Sequence, residues 1–187
     1  MSAKPIPPRP GRGAVAQRLG EVLRVDHAGE LAAVHIYRGQ RAVFNAAPRK
    51  DRIAYQLQEM EAQEAEHLAA FDALLNDHRV RPTLLAPVWR LAGFTLGVGT
   101  ALMGEKAAHA CTAAVEEVIE EHYAGQIEEL KDRDPALADQ LSEFRDEELA
   151  HRDLAIEEGA ETTPGYGLLS AVIRAGCRAA IKISEKV

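Results

Sequence analysis

The chain has 187 residues, enough for one domain with a full buried core. Its 22 basic and 29 acidic side chains leave a net charge of −7, which speaks against a nucleic-acid partner. With 5% aromatic residues, abundant Ala and Leu and no period-two strand pattern, the composition points to an all-α protein.

Residues 1–14 read as a disordered, Pro-rich N-terminal tail. They carry Lys4, Arg9 and Arg12 with no acid, and four prolines between Pro5 and Pro10. No apolar stretch follows these basic residues, so no secretory signal is expected. Residues 15–187 are expected to form a single domain. The first helix is expected from Val15 to Asn45, ending near Pro48, and the second from Asp51 to Asp77. After the connection comes a third helical stretch, Glu105 to Leu130, and a fourth, Pro135 to Glu158. Pro135 stands in the first turn of that fourth helix, where its missing N–H costs nothing, and Gly159 and Pro164 close it. Helix pair, long connection, helix pair is the pattern of a four-helix bundle with one crossover.

The crossover, residues 82–104, is apolar: from Leu84 to Met103 only Arg90 is charged. Its length suits a membrane span, but Pro87, Gly93, Gly97 and Gly99 are expected to interrupt its helix. A span would also separate residues that, on the argument below, must meet. The segment is therefore expected to lie in an interface, re-enter, or be buried. The C-terminal helix, residues 165–185, carries Arg174, Arg178, Lys182 and Lys186 at steps of four. Leu168, Leu169, Val172, Ile173 and Ile181 fall largely away from that stripe. Such a basic amphipathic helix suits an anionic membrane surface, and is preferred here to a solvated stripe on a packed helix. Cys111 and Cys177 show neither metal spacing nor a disulfide framework, as in a reducing compartment.

One arrangement occurs twice. Glu30-x6-Tyr37-x-Gly39-Gln40 is followed by Glu64-x-x-His67, and Glu116-x6-Tyr123-x-Gly125-Gln126 by Glu148-x-x-His151. Glu116 follows Glu30 by 86 positions and Glu148 follows Glu64 by 84. Residues three apart share a helix face, so each Glu-x-x-His aims a carboxylate and an imidazole at one point. Chance supplies about 0.75 such pairs in a chain with this many Glu and His, so the pairs gain their weight from the repeat around them. The repeat selects Glu116 over Glu117, because Tyr123 stands seven residues after Glu116 as Tyr37 does after Glu30. It selects Glu148 over Glu147, because only Glu148 precedes His151 by three.

Two lone Glu and two Glu-x-x-His pairs on four helices are the metal ligand set of a ferritin-like di-metal bundle: Glu30, Glu64, His67, Glu116, Glu148 and His151. Four carboxylates in a core cannot all stay ionised without cations. Mixed oxygen and nitrogen ligation suits iron or manganese. His27 and His122 are candidates for hydrogen bonds behind the ligands, and Asp26 could orient a ligating imidazole. His35, His78 and His109 read as surface or packing residues. Tyr37 and Tyr123 read first as packed, hydrogen-bonded phenols.

The same residues resemble the demethoxyubiquinone hydroxylases of ubiquinone biosynthesis. The resemblance rests on Arg24–Glu30, the crossover from Arg79-Val-Arg-Pro82 to Gly104, Ala114–Glu117, Phe144–Glu148 and Ala175–Arg178, and covers nearly everything after Leu23. It implies the same six ligands, here for two iron ions, and places His122 and Tyr123 beside the substrate in catalytic positions. It implies a di-iron monooxygenase that hydroxylates the ring of a polyprenyl demethoxybenzoquinol, with O2 as co-substrate and an external reductant. Its expected partners are the quinol, the membrane surface and other ubiquinone-pathway proteins. The expected location is peripheral, on the cytoplasmic side of the cell membrane, or the matrix side of the mitochondrial inner membrane in a eukaryote. The rival reading from the residues is a ferritin-like ferroxidase or iron store, which gives the apolar crossover no role. Peroxidases and manganese catalases of the same fold are a second alternative.

Overall fold

A computed structural model describes residues 12–187. Six helices occupy them: α1 (Arg12–Asn45), α2 (Asp51–His78), α3 (Ala86–Leu102), α4 (Glu105–Leu130), α5 (Pro135–Glu157) and α6 (Tyr166–Ser184). A 3-10 turn at Ala160–Thr162 precedes α6, and there is no strand among the described residues. The proposed tail 1–14 falls largely outside the described residues. The four long helices follow the sequence pattern closely, and their ends have local causes. At the end of α2, Arg79 turns left-handed (φ 55°), and Val80 N–H reaches back to Leu75 C=O at 2.9 Å. At the start of α5, Asp134 caps the helix by accepting from Leu137 N–H at 3.2 Å, with Pro135 next to it. Gly104 (φ 117°, ψ 171°) holds a conformation closed to other residues, and lets the chain pass from α3 into α4 without a loop.

Helices α1 and α2 form one antiparallel pair and α4 and α5 the other, joined face to face. Two apolar clusters close the bundle above and below its middle. One gathers Leu23, Phe71, Tyr123 and Leu141, the other Tyr37, Phe44, Leu57 and Met60. Leu23, Leu57, Phe71 and Leu141 are fully buried, each worth about 1.5–3 kcal/mol relative to exposure. The six candidate ligands lie between these clusters, so the packing that stabilises the bundle also keeps water from the site.

The crossover differs from expectation. It is one continuous helix, α3, and Pro87 and the glycines do not interrupt it. Pro87 falls in the first turn, where no N–H is needed. Gly93 and Gly97 face α1, and a methyl group on Gly93 would lie 2.5 Å from Ala32 C=O. One on Gly97 would collide with Ile36 C=O, and one on Gly39 of α1 with Phe94 C=O. The glycines are thus a seam that lets two backbones touch, as small residues do between closely packed helices. Gly93 and Gly97 are buried, while Leu84, Val88, Leu91, Leu102 and Met103 are exposed. No helix among the described residues is long and apolar enough to cross a membrane.

The basic stripe of the last helix is also placed differently. Arg174 Nη1 lies 2.8 Å from Glu117 Oε2, and Arg178 Nη2 2.9 Å from Glu121 Oε2. Half of the stripe therefore faces α4, because acids four apart on α4 match bases four apart on α6. Leu168, Val172 and Ile183 are left exposed.

Gly39 and Gly125 hold equivalent positions in the repeat, yet only Gly39 is covered, since nothing lies within 4 Å of a methyl group on Gly125. Gly39→Ala is expected to destabilise the fold by about 1–3 kcal/mol through overpacking. Gly125→Ala is expected to stabilise it by up to about 1 kcal/mol through helix propensity. Urea denaturation of the two variants measures both signs.

Candidate metal centre

The six side chains singled out by the repeat converge, each 5% exposed or less. They form two overlapping sets, Glu30–Glu64–His67–Glu148 and Glu64–Glu116–Glu148–His151. Within each set the nearest side-chain oxygens and nitrogens lie within 4.8 Å of one another. His67 Nδ1 is 3.1 Å from Glu148 Oε1 and 3.5 Å from Glu30 Oε2. His151 Nδ1 is 3.1 Å from Glu64 Oε1 and 3.5 Å from Glu148 Oε2. Glu64 and Glu148 belong to both sets, one from each half of the repeat.

The hydrogen bonds around these groups show which atoms are held in reserve. Tyr37 OH donates to Glu116 Oε1 at 2.5 Å, and Tyr123 OH donates to Glu30 Oε1. The far nitrogens of the imidazoles are also satisfied: His67 Nε2 meets Glu147 Oε2 at 2.5 Å, and His151 Nε2 meets Gln63 Oε1 at 2.7 Å. What remains is Glu30 Oε2, Glu116 Oε2, both oxygens of Glu64 and of Glu148, and Nδ1 of both histidines. All are buried and none has a hydrogen-bond partner. Polar atoms are not buried unpaired without cost, about 1–3 kcal/mol each and more when charged. Their convergence on two overlapping points fits a pair of divalent cations, and the oxygen and nitrogen donors, with no thiolate, fit iron or manganese.

Without cations the site must hold protons. Burial raises the pKa of Glu30, and raises Glu64 and Glu116 well above the carboxyl range, with the Glu148 charge adding to the rise. Burial also acts to raise Glu148, but its close contacts with His151 and His67 outweigh it and hold Glu148 at about 2. Burial acts to lower His67, and its contacts with Glu148 and Glu30 overcome that, raising it to about 11. Both tyrosines are pushed well above their usual value, first by burial and then by the carboxyl each one serves, so they remain donors.

Other side chains named from the sequence take different places. His27 turns away to α2, where its Nε2 lies 3.0 Å from Asp72 Oδ1, and so stands behind no ligand. Asp26 is buried but orients no ligating imidazole. It accepts from Gln126 Nε2 at 2.8 Å and lies 3.4 Å from His122 Nε2. Burial raises the pKa of Asp26, and the contacts with His122 and Gln126 on α4 offset only part of that rise. His35 bonds within its own helix to Leu31 C=O, His78 is exposed and His109 is buried in packing. Glu117 points at α6, where it pairs with Arg174. Glu147, set aside as a ligand, serves His67 from behind. The signal for it was present, since Glu147 follows Gln63 by the same 84 positions that separate the two Glu-x-x-His pairs.

A small, partly open apolar cavity lies between α1, α3, α4 and α6. Gly29 and Ala33 of α1, Trp89 of α3, Val115 of α4 and Ile181 of α6 line it. Gly29 and Val115 immediately precede two of the candidate ligands. A more polar groove that includes His122 shares Val118 and Ile181 with this cavity.

Residues 17–184 match the family described as ubiquinone biosynthesis protein COQ7. The chain is 49% identical over 178 residues to a 3-demethoxyubiquinol 3-hydroxylase of Rhodospirillum rubrum, covering 95% of this chain and 82% of that one. It is 46% identical over 170 residues to the human mitochondrial NADPH-dependent 3-demethoxyubiquinone 3-hydroxylase, covering 89% and 76%. It is 38% identical over 189 residues to the 5-demethoxyubiquinone hydroxylase of Saccharomyces cerevisiae mitochondria, covering 93% and 80%.

Proton retention makes the metal-free fold sensitive to pH in a defined direction. The folded chain keeps protons on Glu30, Glu64 and Glu116 that the unfolded chain loses above 4.5. It keeps one on His67 that the unfolded chain loses above 6.5. Metal-free stability should therefore fall as pH rises from about 5 to about 8. The gain in melting temperature from saturating divalent metal should widen over the same interval, because metal displaces those protons. Melting curves with and without metal measure it, and a gain that stays flat with pH would mean that no protons are displaced.

Proposed function

The chain belongs to the COQ7 family of ubiquinone biosynthesis, and from that premise we propose that it hydroxylates the ring of a polyprenyl demethoxybenzoquinol at a pair of irons. It is a quinol-ring hydroxylase, an oxygen-dependent monooxygenase. Glu30, Glu64, His67, Glu116, Glu148 and His151 would hold the irons. The observation that carries the reading is the set of unpartnered, buried ligand atoms beside an apolar cavity.

Bound iron supplies the open coordination positions and the electrons that activate O2 for transfer of one oxygen atom to the ring. The balance is one ring C–H, one O2, two electrons and two protons giving one ring C–OH and one water. An external reductant supplies the electrons, and NADPH, named for the human relative, is the first to test. Tyr37 and Tyr123 act as positioning residues, each fixing one oxygen of Glu116 or Glu30 so that the other is left for metal. The apolar cavity receives the ring and the start of its tail. The two clusters of packed side chains exclude water from the candidate ligands between them. His122 stands where that cavity meets its polar groove, and its imidazole is the group placed to exchange a proton with a quinol hydroxyl.

A polyprenyl tail stays in a bilayer, and the exposed Leu91 and Leu102 of α3 with Leu168 and Val172 of α6 form the edge proposed to rest there. The cavity lies between those two helices. This reading replaces the basic stripe with an apolar edge as the main contact. Lys182 and Lys186, both exposed, would add attraction to anionic headgroups. A ferritin-like ferroxidase would use the same ligands but would leave the cavity and the edge without purpose.

Reduced, iron-loaded protein given a short-tailed demethoxyubiquinol analogue and O2 should yield product with one added oxygen by mass spectrometry. Glu148→Ala should give none and retain fewer than two irons. Iron that is oxidised and stored without any organic product would favour the ferroxidase. Leu91→Glu combined with Val172→Glu should lower co-flotation with phospholipid vesicles about tenfold or more, while activity on the short-tailed analogue is kept. Unchanged flotation would remove the membrane edge.

A further inference from the structure

The site is two-fold symmetric in its contacts and asymmetric in its chemistry. Each tyrosine crosses from its own helix to a carboxyl of the opposite half, Tyr37 to Glu116 and Tyr123 to Glu30. Each imidazole also crosses: His67 of α2 meets Glu147 of α5, and His151 of α5 meets Gln63 of α2. Positions 63 and 147 are repeat mates in the same geometry. One is an amide and the other an acid.

We infer that Glu147 and Gln63 make the two metal positions inequivalent, with the His67 position binding a divalent cation more tightly and the His151 position the easier to reduce. The inference rests on the proposal that these six residues hold two metals. Both histidines direct Nδ1 at the carboxyl cluster. When Nδ1 is given to a cation, Nε2 keeps its proton and needs an acceptor, and both partners present an oxygen. A carboxylate draws that proton more strongly than an amide oxygen does, leaving more electron density on the imidazole and making it the stronger ligand. Glu147 also brings a negative charge close to one cation and not to the other. Its side chain is about half exposed, so solvent lowers the desolvation cost of that charge. Greater electron donation favours the higher oxidation state of the metal behind His67. A single electron added to the oxidised pair therefore resides at the His151 position.

Calorimetric titration of the metal-free full chain with cobalt(II) tests the affinities. The wild-type chain should take up two cobalt ions in steps separated by about tenfold or more. Glu147→Gln should merge the steps by weakening the first about 10–100-fold, the range for losing such a partner. Gln63→Glu should merge them in the opposite way, by tightening the second. A purely structural role for these residues would not produce changes of opposite sign. If Glu147→Gln does not fold, Gln63→Glu decides alone, because it must tighten the second step. Two wild-type steps of equal affinity, or a first step unmoved in Glu147→Gln, overturn the inequivalence and leave the metal site standing. Uptake of fewer than two ions by the wild type overturns both. With iron, the potential at which the oxidised pair takes up its first electron should fall in Gln63→Glu, and an unmoved potential overturns the assignment of that electron to the His151 position.

Discussion

Four carboxyl groups and two imidazoles face one another, buried in the middle of this bundle. Mutual repulsion and desolvation forbid that all four carboxyls be charged there without cations. Much of the surrounding structure can be read as a response to that constraint. The phenols of Tyr37 and Tyr123 settle one oxygen each on Glu116 and Glu30, and their rings build the two apolar clusters that seal the centre. Gln40 and Gln126 bind across the same interface, Gln40 to Ala108 C=O at 3.1 Å and Gln126 to Asp26. Eight of the buried side-chain atoms left without a hydrogen-bond partner belong to the six candidate ligands, the densest group of such atoms in the bundle.

The centre has two unlike sides. Toward α1 and α4 lie the tyrosines, the carboxyls Glu30 and Glu116 and the apolar cavity. Toward α2 and α5 lie the histidines, whose far nitrogens reach partly exposed acid and amide groups. An organic ring and its tail belong on the first side, where burial of carbon is favourable. Charge and protons are accommodated on the second, where water is near. The added helices follow the same division, since α3 packs on α1 and α6 on α4, walling the cavity and presenting exposed aliphatic residues outward.

Close approach of α3 to α1 depends on absent side chains. Gly39, Gly93 and Gly97 leave room for one backbone to lie against the other, so the cavity wall is formed at short range. In the sequence Gly93 and Gly97 looked like helix breakers. Propensity costs about 1 kcal/mol for each glycine in a helix, and packing two backbones together offsets it. The basic residues of α6 gave a similar ambiguity. A stripe at steps of four is the same whether it faces lipid, water or acids on another helix, and Glu117 and Glu121 resolve it here.

The residue pattern by itself determined the four long helices, their pairing and the six side chains that meet. A helix fixes the direction of each side chain from its position, and a repeat of Glu-x6-Tyr and Glu-x-x-His carries that information twice. It also excluded Glu117 and Glu147 as members of the set. Only the tertiary structure decided what lies behind the set: Glu147 on one imidazole and Gln63 on the other, Asp26 turned to His122, His27 turned to Asp72, and glycines used for contact. Those relations join helices far apart in the chain. Contacts of that kind have no period along the sequence, because they depend on how one helix is rotated and seated against another.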